Sequence, residues 1–189
     1  YSIIPEESIL SYNVSFISLG CAKNQVNCEQ MMALCAEAGY SIQAQPEGCD
    51  VVVVNTCGFL ASACEEAIEN ILAMAELKKA GKLKKILVTG CMTQRYQGEV
   101  AKELPEVDGI LGTGSYKDIV DAVETVMAGG TVSRFDDINA PVDEFGRVLT
   151  TPGHYAFLSI AEGCDNWCAF CIIPKPVSYT HLTLPTNSR

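Results

Sequence analysis

Long apolar runs are missing from this 189-residue chain: the four valines Val51–Val54 form one of the longest, far too short to span a bilayer. No positively charged start leads into an apolar stretch, as a secretory signal would, although the chain opens on Tyr1, so the true N-terminus is expected to lie upstream. Basic residues are scarce, 13 Lys and Arg against 23 Asp and Glu, for a net charge of −10. Non-specific affinity for nucleic acid comes largely from Lys and Arg neutralising phosphates, so this balance weakens an RNA-binding reading while leaving room for a local basic patch. The one dense basic run, Leu77–Lys85 (LKKAGKLKK), reads as the solvated end of a helix, where cations complement the dipole. Histidine is nearly absent, and neither His154 nor His181 sits at a zinc-ligand spacing from the cysteines.

Cysteine is abundant, with ten in the chain. In a sequence without a secretory signal this argues for a reducing compartment, read here as the cytoplasm, and for metal or redox chemistry over a disulfide framework. Hydrophobic residues at 48% and charged residues at 19% describe a globular chain, long enough for one ordinary domain and part of another.

Strand-like and helix-like segments alternate. Val14–Leu19 is β-rich; apolar positions from Asn24 to Ala38 recur at helical spacing with Gly39 as a stop; Asp50–Thr56 carries the valine run of a strand buried on both faces. A helix over Ala61–Lys79, a strand over Lys85–Thr89, a helix over Tyr96–Leu104, a strand near Gly109–Gly112 and a helix over Ser115–Met127 follow. The last opens on Ser-x-x-Asp, a capping arrangement, and this is the reading taken for Gly112–Ser115 (GTGS), which lacks the pattern of a phosphate loop. The alternation predicts an α/β fold with an open parallel sheet. Thr131–Tyr155 reads as a linker or small hairpin, and Ala156–Ala161 (AFLSIA) as a new strand.

Two groups of cysteines carry the chemistry. Cys164, Cys168 and Cys171 lie at C-x3-C-x2-C in GCDNWCAFC. That spacing brings three thiolates to one small centre with no fourth ligand nearby; three ligands on a 4Fe–4S cube leave one iron open. Spacing alone leaves a zinc knuckle or three packed cysteines as alternatives. Cys21, Cys57 and Cys91 each follow a predicted strand, and loops at the carboxyl ends of parallel strands converge on one edge. Either they meet there as a second open cluster site, or small buried cysteines merely tolerate tight turns. Cys28, Cys35, Cys49 and Cys64 read as packing residues.

GCDNWCAFCIIP resembles the radical S-adenosylmethionine signature. SLGCAKN (Ser18–Asn24), NTCGF (Asn55–Phe59) and TGC (Thr89–Cys91) resemble, in order, the cluster-binding motifs of the methylthiotransferase family. The resemblance implies two 4Fe–4S clusters, one on Cys164, Cys168 and Cys171 with S-adenosyl-L-methionine on its open iron, and an auxiliary one on Cys21, Cys57 and Cys91. It implies that Phe170 lies near the adenine of S-adenosylmethionine, and leaves catalytic residues unassigned. Asn27 and Cys28 stand where the family often has aspartate and serine.

The family's ribosomal-protein branch methylthiolates the β-carbon of an aspartyl residue of ribosomal protein S-twelve, and SLGCAKN with Lys23 leans that way. The tRNA branch, acting on isopentenyl-adenosine, is the alternative, and a non-catalytic iron–sulfur electron-transfer module a second. An electron donor such as flavodoxin or ferredoxin is implied as a partner.

The expected organisation is a tail over 1–13, a methylthiotransferase domain over 14–130, a linker over 131–155 and the start of a radical S-adenosylmethionine domain, a partial β/α barrel, over 156–176. After Lys175 the chain departs from the family pattern, and PVSYTHLTLPTNSR resembles translated adapter read-through. Residues 177–189 are expected to be non-native, the barrel truncated and the chain alone inactive.

Overall fold

A computed structural model of the chain describes residues 11–140, 146–164, 166–177 and the backbone of 181–182. Most of the expected tail over 1–13 and of the expected non-native segment over 177–189 lies outside them.

Six parallel strands form one sheet in the order β2-β1-β3-β4-β5-β6: β1 Asn13–Ser18, β2 Ser41–Gln43, β3 Val51–Thr56, β4 Lys85–Gly90, β5 Gly109–Leu111 and β6 Val132–Arg134. Helices α1 (Ala22–Glu37), α2 (Ala61–Lys79), α3 (Cys91–Glu103) and α4 (Ile119–Met127) connect them. The α/β expectation therefore holds. The valine run shows why it is continuous. Successive side chains of a strand point to opposite faces, and Val51 and Val53 pack with Met31, Leu111 and Ile119 on the α1/α4 side. Val52 and Val54 pack with Ala67, Ile71 and Met92 on the α2/α3 side. All four valines are fully buried.

The chain turns from β1 to β2 on one side and then crosses to β3 on the other, so β1 and β3 are neighbours whose connections leave in opposite directions. Such a switch point opens a crevice at the carboxyl ends of its two strands. Cys21 and Cys57 stand at those ends.

Several local expectations are corrected. Helix α3 starts at Cys91 itself, five residues earlier than its periodicity suggests, because Gln97 (φ 26°) breaks the regular turn and only the second half reads as amphipathic. Ser115 does not cap the helix that follows; its hydroxyl bonds Asp136 (3.0 Å) instead, and a short 3-10 turn, Tyr116–Asp118, precedes α4. Ala156–Ala161 is not a strand over its length. Among the described residues only Ala161–Glu162 is extended and paired there, antiparallel to His181–Leu182. The segment read as a linker supplies β6 and folds back on α1.

The basic run is no free patch. Lys78 and Lys85 both bind the Asp108 carboxylate, Lys82 pairs with Glu47 and Lys84 with Asp50. Asp108 also accepts the Ile86 N–H at 2.9 Å. Burial alone would raise the Asp108 carboxyl, but Lys78, Lys85 and the Ile86 amide outweigh it and hold the group below the usual carboxylate value. The stabilisation is therefore complete above about pH 4 and lost as pH falls through the lowered folded value. Asp108→Ala is expected to cost about 1.5–3 kcal/mol in urea unfolding, with the difference from wild type shrinking in acid.

Candidate metal centre

Each cysteine of the first trio is set by the turn that leaves its strand. Cys21 stands at the N-terminus of α1, Cys57 directly after β3, and Cys91 is the first residue of α3. Cys21 is exposed, the other two half-buried. Two glycines let the loops close on one another. Gly20 has φ +98°, and a Cβ there would stand 2.7 Å from the Cys57 Cβ; Gly90 has φ +105°, and a Cβ there would stand 2.6 Å from the Asn55 side-chain oxygen. No side chain fits either place, and only glycine adopts these angles without strain.

A web of side-chain bonds ties the three strand ends together. Asn24, fully buried in the first turn of α1, donates from Nδ2 to the Leu19 carbonyl (2.8 Å) and to the Thr56 carbonyl (3.0 Å). Asn55 Nδ2 donates to the Asn24 carbonyl (2.7 Å), and the Thr56 hydroxyl to the Thr89 carbonyl (2.6 Å). Arg95 donates to the Gly58 carbonyl at 2.8 Å. The Asn24 side-chain oxygen accepts from both Cys21 Sγ (4.0 Å) and Cys91 Sγ (3.9 Å). Two sulfurs that close to a single oxygen cannot be further apart than twice that distance. Residues separated by 70 positions thus share one spot.

Sequence reasoning did not assign this web. The signal was present in the Asn of SLGCAKN and in the polar ends of β3 and β4, Asn55-Thr56 and Thr89, all fully buried.

The three cysteines open on a cavity of about 690 Å³. Cys21, Lys23, Asn24, Cys57 and Cys91 line it together with Phe157–Ala161, Ile172 and Ile173, residues flanking the second cysteine group. Cys164, Cys168 and Cys171 do not line it. A turn closed by the Cys171 N–H on the Cys168 carbonyl (2.9 Å) joins two of them, and Phe170 points outward, 93% exposed.

Among the described residues no three Cys, His, Asp or Glu side chains stand close enough to hold a single ion. Zinc draws each sulfur to about 2.3 Å, so a lone small ion would not bridge Cys21, Cys57 and Cys91 without the loops closing in. Three thiols on one rim, with no histidine or carboxylate beside them among the described residues of the cavity wall, suit a larger thiolate-held core.

The remaining four cysteines differ in kind. Cys28, Cys35 and Cys49 are buried, and burial pushes the thiols of Cys28 and Cys35 up to about 12. Cys64, half-buried, directs its sulfur to the Cys57 carbonyl at 3.7 Å, and burial raises its thiol too. No helix among the described residues is long and apolar enough to cross a membrane.

Comparison with known proteins follows the same residues. The profile described as "Uncharacterized protein family UPF0004" matches residues 13–112, the whole of β1 to β5. The "Ribosomal protein uS12 methylthiotransferase RimO" of Thermoanaerobacter sp. (strain X514) is 46% identical over 164 residues, which is 86% of this chain and 37% of that protein. Proteins of the same name from Anaeromyxobacter sp. (strain K) and Symbiobacterium thermophilum are 49% and 48% identical over 84% and 85% of this chain. The chain spans about a third of the length of these curated relatives. With all three strand-end cysteine motifs inside the matched region, the chain belongs to the UPF0004 family and is a relative of the RimO methylthiotransferases.

Proposed function

We propose that this chain is the cluster-binding portion of a radical S-adenosylmethionine methylthiotransferase that modifies the β-carbon of an aspartyl residue of a small-subunit ribosomal protein. The observation that carries the reading is that Cys21, Cys57 and Cys91, at the carboxyl ends of β1, β3 and β4, line one cavity together with residues that flank the second cysteine group. Residues 14–130 would form the auxiliary-cluster unit, 131–155 the connection and 156–176 the opening of the radical S-adenosylmethionine unit. Cys21, Cys57 and Cys91 would hold one 4Fe–4S cluster, and Cys164, Cys168 and Cys171 the other, with Phe170 beside the adenine of S-adenosylmethionine. Bound there, the clusters and S-adenosylmethionine would supply one-electron chemistry, sulfur and the methyl group.

The chain's own residues orient and enclose. Gly20 and Gly90 permit the close approach of the loops, Asn24 joins them, and Phe157, Leu158 and Ile160 add apolar surface to the same cavity. The cytoplasm is the compartment that keeps such thiols reduced, and a flavodoxin or ferredoxin would deliver electrons. The ribosomal-protein substrate is favoured over tRNA by the net charge of −10 and by the pairing of the lysines in the basic run with carboxylates.

The test is anaerobic incubation of a full-length relative and of this chain with S-adenosylmethionine, a reductant and either a peptide of the ribosomal protein or isopentenyl-adenosine tRNA. Release of 5′-deoxyadenosine with a methylthio mass gain on the peptide, by the full-length protein alone, is the expected result. Gain on the tRNA would select the tRNA reading, and reversible cluster reduction with no 5′-deoxyadenosine the electron-transfer module.

A further inference from the structure

We propose that Asn24 is a positioning residue of the thiolate site, holding together the loops that carry Cys21 and Cys57 through its Nδ2 bonds to the Leu19 and Thr56 carbonyls, and setting the reduction potential of the cluster they hold. The inference rests on the cluster reading above and adds a residue to it. The orientation of the Asn24 amide is not a matter of choice. Its Nδ2 lies 2.8 Å and 3.0 Å from two backbone carbonyl oxygens, and the flipped amide would set oxygen against both. The side-chain oxygen is therefore locked toward the sulfurs of Cys21 and Cys91. Its backbone carbonyl is held in turn by Asn55. One buried side chain thus touches the loop before Cys21, the residue before Cys57, and the sulfurs of Cys21 and Cys91.

Two consequences follow. Groups that orient metal ligands are costly to remove, typically by a factor of 10–100 in metal affinity. The negative end of a carbonyl dipole fixed beside two coordinating sulfurs disfavours an added electron, and cluster potentials are set by such local charge. Asn24 should thus hold the potential low.

The experiment uses the full chain with Cys164, Cys168 and Cys171 replaced by alanine, so that a single cluster is read. In that background Asn24→Ala is expected to lose iron to a ferrous chelator at least about tenfold faster and to raise the midpoint potential. Asn24→Asp keeps the shape but removes the donor to Leu19 and Thr56, and is expected to lose iron faster as well. Wild-type chelator kinetics in whichever variant folds, or a potential unmoved in Asn24→Ala, would overturn the proposal. Failure of both to fold would overturn it too, since Asn24 would then be a residue of the fold and not of the site. Iron content unaffected by Cys57→Ser would instead sink the cluster reading itself.

Discussion

Cys57→Ser is expected to lower the iron of the anaerobically reconstituted chain from about eight to about four atoms, with the metal-free fold unchanged. Cys57 directly follows β3, and the strands on either side of β3, β1 and β4, lead to Cys21 and Cys91. Soft thiolates select iron–sulfur cores, and a hydroxyl is a poor replacement. The same substitution should do little to stability, because Cys57 is only half-buried and faces the cavity. Cys28→Ser is the mirror experiment. Cys28 is 1% exposed on the inner face of α1, and burial already raises its thiol to about 12, far from a thiolate ligand. That variant should keep its iron and lose about 1–3 kcal/mol of stability through a buried hydroxyl. Iron and sulfide assays with Mössbauer spectra read the first effect, urea unfolding the second. Iron retained in Cys57→Ser would refute the assignment of this trio.

Much of the fold is legible in the sequence because local and tertiary preferences agree. The valine run, the helical spacing from Asn24 to Ala38 and Gly39 with φ +86° all say locally what the sheet needs globally. Strand-end address puts Cys21, Cys57 and Cys91 on one edge of the sheet but leaves open whether they meet there; their meeting is what the resemblance to the methylthiotransferase motifs implies. The chain resists reading where the partner is distant. Ser115 looks like a cap until Asp136, from beyond β6, donates its own N–H to the Ser115 hydroxyl and accepts that hydroxyl's proton on its carboxylate. AFLSIA has the composition of a strand, but a strand needs a neighbour, and among the described residues only Ala161–Glu162 finds one. Lys79, Lys82 and Lys84 of LKKAGKLKK are exposed as the sequence suggests, but the pairing of Lys78, Lys82, Lys84 and Lys85 is not visible locally because Asp108, Glu47 and Asp50 lie elsewhere in the chain.

Glu29→Ala is expected to be among the most destabilising single changes in the chain, by about 3–5 kcal/mol, for a reason invisible to periodicity. Glu29 is on α1 with no exposed surface, at a position that reads only as the middle of a helix. Its carboxylate is met by the Arg147 guanidinium, by the Thr150 N–H at 2.9 Å and by the Thr150 hydroxyl at 2.7 Å. Its backbone carbonyl accepts the Val148 N–H at 3.1 Å. Arg147 in turn donates to the Phe157 carbonyl at 2.6 Å, so this single carboxylate anchors the connection whose far end lines the same cavity as the cysteines. Removing it strands a guanidinium that is only 20% exposed. Burial by itself would raise the Glu29 carboxyl, yet the bonds from Thr150 and Arg147 prevail and hold it below 4.5. A lowered carboxyl adds stability in full above about pH 4.5 and loses it as pH falls through the folded value. The gap between wild type and Glu29→Gln should therefore narrow in acid. Trypsin offers a second reading: with its guanidinium engaged, Arg147 should resist cleavage in the wild type and become a preferred site in Glu29→Ala. Equal cleavage and equal urea midpoints in the two proteins would show that the connection is not held by this carboxylate.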